Sequence, residues 1–551
     1  MRGVPISDDI ERVDALPRRD LAELMTPEAV SLLTKHLAKE HNKGSLFPIQ
    51  AAALYDLHEA ITKGNRGIEI PIGVGGGKSL VCCLAGAVLP KPLTQYQRLV
   101  WLVPANLRVQ CTAVAAKAKQ DWKIDYQIHV VSYEDLSSPR KLDLLDKLCP
   151  SVIACDEAHK LQMGSVRTKR FRRYIIERAK RQDGPVVLFG SGTLLRRSLF
   201  DLEWLFRYTH PLNSPLPLTY TALRDWDRAL GSNKHEAPLA PGALMRFANK
   251  GETAREGFGR RLANTLGVVT SKEITCPVAL NISMVKDIVV PDEIQRALED
   301  LHRFNRTPYG EVFDDPLTEN RYAQQIALGY WLRWIWPGGI VDAEWLRVRA
   351  AWHTELRDLL KRAPHGRDSA MLMTNAVIRG EVKASFYEDW CKVKDRYAAT
   401  GGTPPSEAVW VSDYAVKECL KVREGAIWYS GRPFGDALRA TGKIPVYMAG
   451  DDELIMQSKA PVFAASIRSH GTGKNLQAWS TAVCVSPPAS GDTMEQLIGR
   501  HHRVGTTADE INFSFWNFTE AQKNAVKSAR EQAQMMHEMQ NPQRLVLATY
   551  V

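Results

Sequence analysis

"IPIGVGGGKSLVC", Ile70–Cys82, sets four glycines within five positions and places a lysine and a serine directly behind them. A loop that wraps a phosphate must turn its backbone N–H groups inward. That calls for residues tolerating unusual φ and ψ, with a helix N-terminus behind them. Gly75, Gly76 and Gly77 meet the first demand, and the helical run "SLVCCLAGAVL" meets the second. "GIEIP" ahead of the loop reads as a buried strand, so the order is strand, loop, helix. In that order Lys78 reaches the β and γ phosphates of a nucleoside triphosphate and Ser79 ligates magnesium. The strict pattern GxxxxGK[ST] begins with glycine where this chain has Ile72, which keeps a plain glycine turn with an exposed lysine as the alternative.

Outward from this loop, the first two hundred or so residues alternate short apolar runs with helical patterns, as a parallel sheet with crossover helices requires. "GIEIP", "RLVWLV", "IHVVSY", "SVIAC" and "PVVLFG" are the expected strands. After Tyr208 the chain becomes proline-rich and then polar and helical to about Ala399, where "TGGTPPSE" breaks the pattern. Strands resume at "GAIWYS", "IPVYMAG", "VFAAS" and "AVCVSP", and the extended run "CPVALNISMVKDIVV" is expected to add one more. The fold class is therefore α/β, in two lobes with parallel sheets and inserted helical subdomains. The expected boundaries are a first lobe over 1–212, a helical insertion over 213–275, and a second lobe over 276–551 that itself carries a helical insertion at about 293–404.

Two further constellations suit the loop. "SVIACDEAHK" is an apolar strand ending in Asp156 and Glu157. A hard-oxygen ligand at a strand tip can hold magnesium, and the adjacent glutamate can polarise an attacking water. The alternative, a charged strand end and helix cap, loses weight behind a phosphate loop. "MEQLIGRHHRVGT" offers Gln496, Arg500 and Arg503, spaced to bring two guanidinium groups to one face of a helix that Gly505 breaks. Charge building on a transferred phosphoryl group is best met by such planar, permanently charged donors.

With these elements in this order, the chain resembles helicase superfamily 2, the two-lobed RecA-like motors. The resemblance implies that Gln50 in "LFPIQAAAL" reads adenine. It also implies that Pro104, Ala105 and Asn106 in "LVPANL", Tyr133 in "VVSYEDL" and Thr472 contact a nucleic-acid strand. His159, and Ser191 and Thr193 in "GSGTLL", would couple hydrolysis to movement. "SGTLLRRSLFDLEWLFRY", "HGTGKNLQAW" and "GRHHRVG" look most like the Swi/Snf-type branch, including compact phage and bacterial forms, whose members are typically duplex DNA translocases. ATP and magnesium are the implied ligands, and Lys78, Asp156, Glu157, Gln496, Arg500 and Arg503 the implied catalytic set. Val74, Leu194 and Thr506 depart from residues usual in the family, and the segment from Gly450 to Phe463 is shorter than usual.

Of 551 residues, 44% are hydrophobic and 24% charged, which suits a multidomain globular chain rather than a disordered one. A formal charge of +10 is compatible with a polyanionic partner and equally with a basic solvated surface. Nine scattered cysteines without zinc spacing suit a reducing, cytoplasmic setting. The N-terminal stretch lacks a signal-peptide core and no apolar run is long enough to span a bilayer, so no membrane partner is expected.

Weaker signals have plainer readings. The eight basic residues of "VRTKRFRRYIIERAKR" read as a solvated face around a Phe171, Tyr174 and Ile175 stripe. Trp331, Trp334 and Trp336 read as core of an inserted helical subdomain, with Tyr330, Trp331 and Trp334 at helical spacing. The run "AQKNAVKSAREQAQMMHEM" reads as an amphipathic helix on the second lobe, and His501 and His502 lack partners for a zinc site. The helical insertions are the expected place for protein partners. Three alternatives to a DNA translocase stay open: a strand-separating DNA or RNA helicase, the motor of a nuclease or defence module, and a nucleic-acid-binding scaffold with a silent ATPase.

Overall fold

The computed structural model describes residues 3–73, 75–162, 165–192, 194–196, 198–231, 238–270, 276–304, 316–362, 370–503, 505–539 and 543–550. Val74 and the expected coupling residue Thr193 lie outside this set. In the first lobe, β1 (Gly67–Ile70), β2 (Arg98–Val103), β3 (Gln127–Ser132), β4 (Val152–Cys155) and β5 (Val186–Gly190) form a parallel sheet in the order β1-β5-β4-β2-β3. All five are the strands expected from sequence. β4, β5 and β2 beyond Arg98 are continuous apolar runs because helices cover both faces, so neither face can alternate with polar residues. Val100, Ile153 and Phe189 point into one core, and Trp101, Ala154 and Leu188 into the opposite one.

The order of the strands positions the chemistry. β5 pairs with β1 on one side and with β4 on the other. The loop ahead of Lys78, the Asp156–Glu157 pair and Ser191 therefore leave adjacent strands at one carboxyl edge, where open α/β sheets bind ligands.

The second lobe is built on β6 (Ala279–Val285), β9 (Gly425–Tyr429), β10 (Val446–Tyr447), β11 (Val462–Ser466), β12 (Thr481–Cys484) and β13 (Glu510–Trp516), again all parallel, in the order β10-β11-β9-β12-β13-β6. The run at 276–290 supplies β6, as expected. β13 is an addition: Ile511, Phe513 and Phe515 face the core while Glu510 and Asn512 are exposed, a half-buried strand.

Between β6 and β9, β7 (Tyr330–Trp334) pairs antiparallel with β8 (Ser406–Trp410). The helical spacing read for Tyr330, Trp331 and Trp334 is thus corrected to a strand. A five-residue aromatic run fits a pleated surface, and spacing alone does not distinguish the two over so short a stretch. The packing expectation fares better for Trp334 and Trp336. Both rings meet the fully buried Trp345, at 5.4 and 6.2 Å between centroids, in a small core separate from either lobe. Trp331 packs instead against the core beneath β9.

The segment read as a helical insertion after residue 212 packs on the first lobe. Trp226 and Phe258, on helices Tyr220–Leu230 and Ala254–Ala263, share a core with Phe189, and Val269 N–H donates to Glu69 O at the free edge of β1. The basic helix Val166–Lys180 buries Phe171, Tyr174 and Ile175 as expected. Arg167 and Arg170 spend their guanidinium groups on backbone carbonyls, and Arg172 lies over Trp204. The C-terminal helix Glu520–Glu538 packs on the second lobe through Val526, Ala529 and Ala533. No described helix is long and apolar enough to cross a membrane.

Candidate active site

One cleft of about 400 Å³ opens between the lobes. Gly75, Gly77, Lys78, Ser79, Asp156 and Glu157 line it from the first lobe, and Gly473, Asn475, Gln477, Arg500 and Arg503 from the second.

The loop owes its shape to its glycines. Gly77 has φ 72 and ψ 26, left-handed, and a Cβ there would lie 2.1 Å from Gln50 Nε2. At Gly76 a Cβ would lie 2.2 Å from Ile72 Cγ2, so Ile72, the departure from the strict pattern, packs beneath the loop. Lys78 begins the helix behind it, and its Nζ donates to Ile72 O at 2.6 Å and Gly73 O at 3.1 Å. The ammonium thus caps carbonyls of its own loop, within reach of a phosphate that could replace them.

Gln50 is buried and does not line the cleft. Its Oε1 accepts from the Phe47 N–H at 2.8 Å and its Nε2 donates to Gly77 O at 3.0 Å, so it ties the start of helix Pro48–Thr62 to the glycine loop. The ring of Phe47, 39% exposed, is what faces the cleft at this end. An aromatic residue three positions before Gln50 was visible in the sequence, but its apolar character hid it among core residues.

Asp156 and Glu157 differ sharply in electrostatics. Burial, and then the neighbouring Glu157 charge, raise Asp156 to about 6 despite the opposing pull of Lys78. For Glu157 burial acts the same way but is outweighed. The His159 hydrogen bond and the charges of His159, Lys78 and Arg500 hold it well below the usual carboxylate range. Glu157 sits in the left-handed region at φ 54, ψ 49, a strained conformation for a residue with a side chain. Its Oε2 lies 3.2 Å from His159 Nδ1 and accepts from the Ser191 hydroxyl at 3.2 Å, while Ser191 Oγ is 3.1 Å from His159 Nδ1. Glu157, His159 and Ser191 therefore form one contact group, joining the tips of β4 and β5.

The arginines are not helical, contrary to the sequence expectation. The helix Gly491–Ile498 ends before both, and Arg500 and Arg503 occupy the turn that follows. Tertiary contacts override propensity here: Arg500 Nη1 donates to Lys474 O at 3.2 Å and Arg500 O accepts from Leu476 N–H at 3.1 Å, tying the turn to the loop at 474–477. Burial, then the like charge of Arg503, push Arg500 down to about 9. Arg503 is lowered by burial as well, and its buried Nε has no hydrogen-bond partner among the described residues. Gln496 stands behind them, buried, outside the cleft lining. His501 and His502 are structural: Trp428 Nε1–H donates to His501 Nε2 at 3.0 Å, and His502 Nε2 lies 2.7 Å from Val278 O.

The residues fit a magnesium nucleotide. Ser79 and Asp156 are hard oxygen donors on one wall, few enough to leave positions for water and phosphate oxygens. The glycine cradle and the unpartnered Arg503 N–H suit an anion beside them.

The residues expected to contact a strand divide. Asn106 Nδ2 meets Thr472 Oγ1 at 3.5 Å across the lobes, and Leu107 packs so close to Gly473 that a Cβ there would lie 1.6 Å from Leu107 Cδ2. Pro104 is buried, and Ala105 is exposed with its N–H on Glu134 Oε2 at 3.1 Å. Tyr133 corrects the expectation: it is fully buried, and its hydroxyl donates to Asp156 O at 2.7 Å. It steadies the tip of β4 and cannot meet a strand.

The chain matches no protein-family model and no curated protein.

Proposed function

We propose that this chain is an ATP-driven motor that couples hydrolysis to movement along duplex DNA. One observation carries the reading: a single interlobe cleft gathers Lys78, Ser79, Asp156 and Glu157 from one sheet edge and Arg500 and Arg503 from the other lobe. A site divided this way is complete only while the lobes are together, so chemistry and lobe movement are linked.

In this reading Lys78 leaves the Ile72 and Gly73 carbonyls for the β and γ phosphates, and the amides of the glycine loop hold the phosphate chain. Ser79 and Asp156 would hold magnesium, which would supply charge neutralisation on the phosphate oxygens. Glu157, kept anionic by its neighbours, orients the attacking water and takes its proton. Arg500 and Arg503 meet the charge that develops on the transferred group. Ser191, in contact with Glu157, passes the state of the site to the loop after β5. Asn106 and Thr472, adjacent across the lobes, are the candidates for gripping one backbone strand.

The test is ATP turnover without nucleic acid, with duplex DNA, with single-stranded DNA and with RNA, using Lys78→Ala as the blank. Strong stimulation by duplex is the expected result. Stimulation by single strands alone would assign the chain to strand separation, and turnover equal to the blank in every condition would leave a nucleic-acid-binding scaffold.

A further inference from the structure

The helix Val166–Lys180 buries Phe171, Tyr174 and Ile175 on one side and turns a charged face outward on the other. At 3.6 residues per turn, Lys169, Arg173 and Lys180 fall within about 40° of one another, opposite the buried stripe. All three are exposed, as are Arg172 beside them and Arg181 one residue past the helix. Glu177 is the helix's one acidic residue. Arg167 pairs with Glu134 and Arg178 with Asp183, whereas Lys169, Arg173, Lys180 and Arg181 have no ion-pair partner among the described residues. Elsewhere on the surface Lys417, Lys421 and Lys523 each meet a carboxylate three or four residues away, the arrangement that stabilises a helical face turned to water. Lys169 and Arg173, four residues apart, repel each other instead.

The stripe begins beside Asn106 and Thr472, the candidates for gripping a backbone strand. Arg167 Nη1 lies 3.8 Å from Glu134 Oε1, and Glu134 Oε2 accepts from the N–H of Ala105, the neighbour of Asn106, at 3.1 Å. Arg170 Nη1 donates at 2.8 Å to Leu136 O and to Ser138 O, which holds the first turns of the helix against the same region. β4 and β5 are parallel, so the helix between them runs from the carboxyl edge of the sheet back to its amino edge. The unpaired cations therefore lead away from the Asn106–Thr472 contact over the outside of the first lobe.

We propose that this face is a second contact for duplex DNA, at which Lys169, Arg173 and Lys180 neutralise backbone phosphates beyond the stretch gripped between the lobes. The inference rests on the DNA reading of the chain and adds the route a longer duplex takes. From Lys169 to Lys180 the helix rises about 16 Å, the axial length of about five phosphates on one duplex strand. Lysine and arginine on long stems meet phosphates without reading bases, so the contact holds DNA of any sequence.

The experiment measures binding of the full chain to a blunt duplex of about 30 base pairs between about 50 and 200 mM salt. The triple variant Lys169→Gln, Arg173→Gln, Lys180→Gln is expected to make the slope of log K against log salt shallower by about 2–3, and to weaken binding at least about tenfold at the low-salt end. ATP turnover without DNA is expected to stay unchanged, since none of the three lines the cleft. Lys169→Arg, Arg173→Lys, Lys180→Arg keeps the charges and is expected to keep the wild-type slope. Lys417→Gln, Lys421→Gln, Lys523→Gln removes as much charge from the second lobe and is expected to leave the slope as it is. A glutamine variant of the stripe with the wild-type slope, or an equal change in the second-lobe variant, would overturn this contact and leave the DNA reading standing. Wild type that binds no duplex at any of these salt concentrations would instead bring down the DNA reading, and this contact with it.

Discussion

Glu69 stands in β1, a strand buried on both faces, where a charge has no ordinary place. The Thr209 hydroxyl donates to its Oε1 at 2.5 Å, and its Oε2 lies 3.4 Å from His210 Nδ1. His210 Nε2 is 2.8 Å from Leu266 O, so that nitrogen carries the proton and Nδ1 is the acceptor. Burial, opposed by the Thr209 hydrogen bond, raises Glu69 to about 8, so the carboxyl keeps its proton at neutral pH. The sign of the linkage follows from the folded value lying above the unfolded one. The folded chain holds a proton the unfolded chain releases, so this stabilisation is complete below about pH 4.5 and lost as pH rises through about 8. Glu69→Gln keeps the acceptor for Thr209 and has no proton to release. Urea unfolding at about pH 5.5 and about pH 8.5 is expected to show wild type losing on the order of 2–4 kcal/mol more than Glu69→Gln across that interval. Equal losses would mean that Glu69 is ionised in the fold.

At the scale of elements, the sequence was most readable where one physical demand dominated. β2, β4 and β5 of the first sheet were legible because burial on both faces leaves apolar runs, and the loop at Gly75–Gly77 because a tight turn into a helix favours glycine. β13 was not, because its alternation of Ile511, Phe513 and Phe515 with polar residues resembles surface sequence unless a neighbouring strand is known. Gln50, Tyr133 and the arginine turn were found as residues but not in their local contacts. Their partners, Gly77 O, Asp156 O and Lys474 O, are backbone atoms distant in sequence for which no side-chain pattern codes. The β7–β8 unit was readable as a core and not as a strand pair. Tyr330 and Trp331 join it to the second lobe's core, while its other end has a local source of stability: Trp345 meets Trp334 at 5.4 Å, Trp390 at 5.9 Å and Tyr397 at 5.2 Å between ring centroids. Trp345→Ala removes the centre of that cluster, at a cost of about 3–5 kcal/mol. Hydrogen exchange is expected to lose protection across β7, β8 and helix Tyr387–Val393 while β1, β4 and β5 keep theirs. Protection lost in the first lobe as well would show that this unit is not an independent element.

At the scale of the molecule, the lobes are also joined by the end of the C-terminal helix. Val526, Ala529 and Ala533 belong to the second lobe's core, whereas Met539, one residue past the helix and 2% exposed, belongs to the core of the first lobe with Phe258, Leu262 and Val268. A Cβ on Gly259 would lie 2.5 Å from Glu538 O, so backbone meets backbone there, and Arg255 Nη1 pairs with Glu538 Oε2 at 2.9 Å. The two contacts differ in weight. A partly exposed ion pair is worth about 1 kcal/mol or less, whereas truncating a buried methionine costs about 2–5 kcal/mol. If the helix end is what makes the lobes unfold as one unit, Met539→Ser should divide a single calorimetric transition into two, with the first lobe melting earlier. Arg255→Ala should leave it single. A single transition in both variants would place the coupling at other interlobe contacts instead, at Asn106 with Thr472 and Arg196 with Asp492, and lobes held only there would part whenever those contacts open.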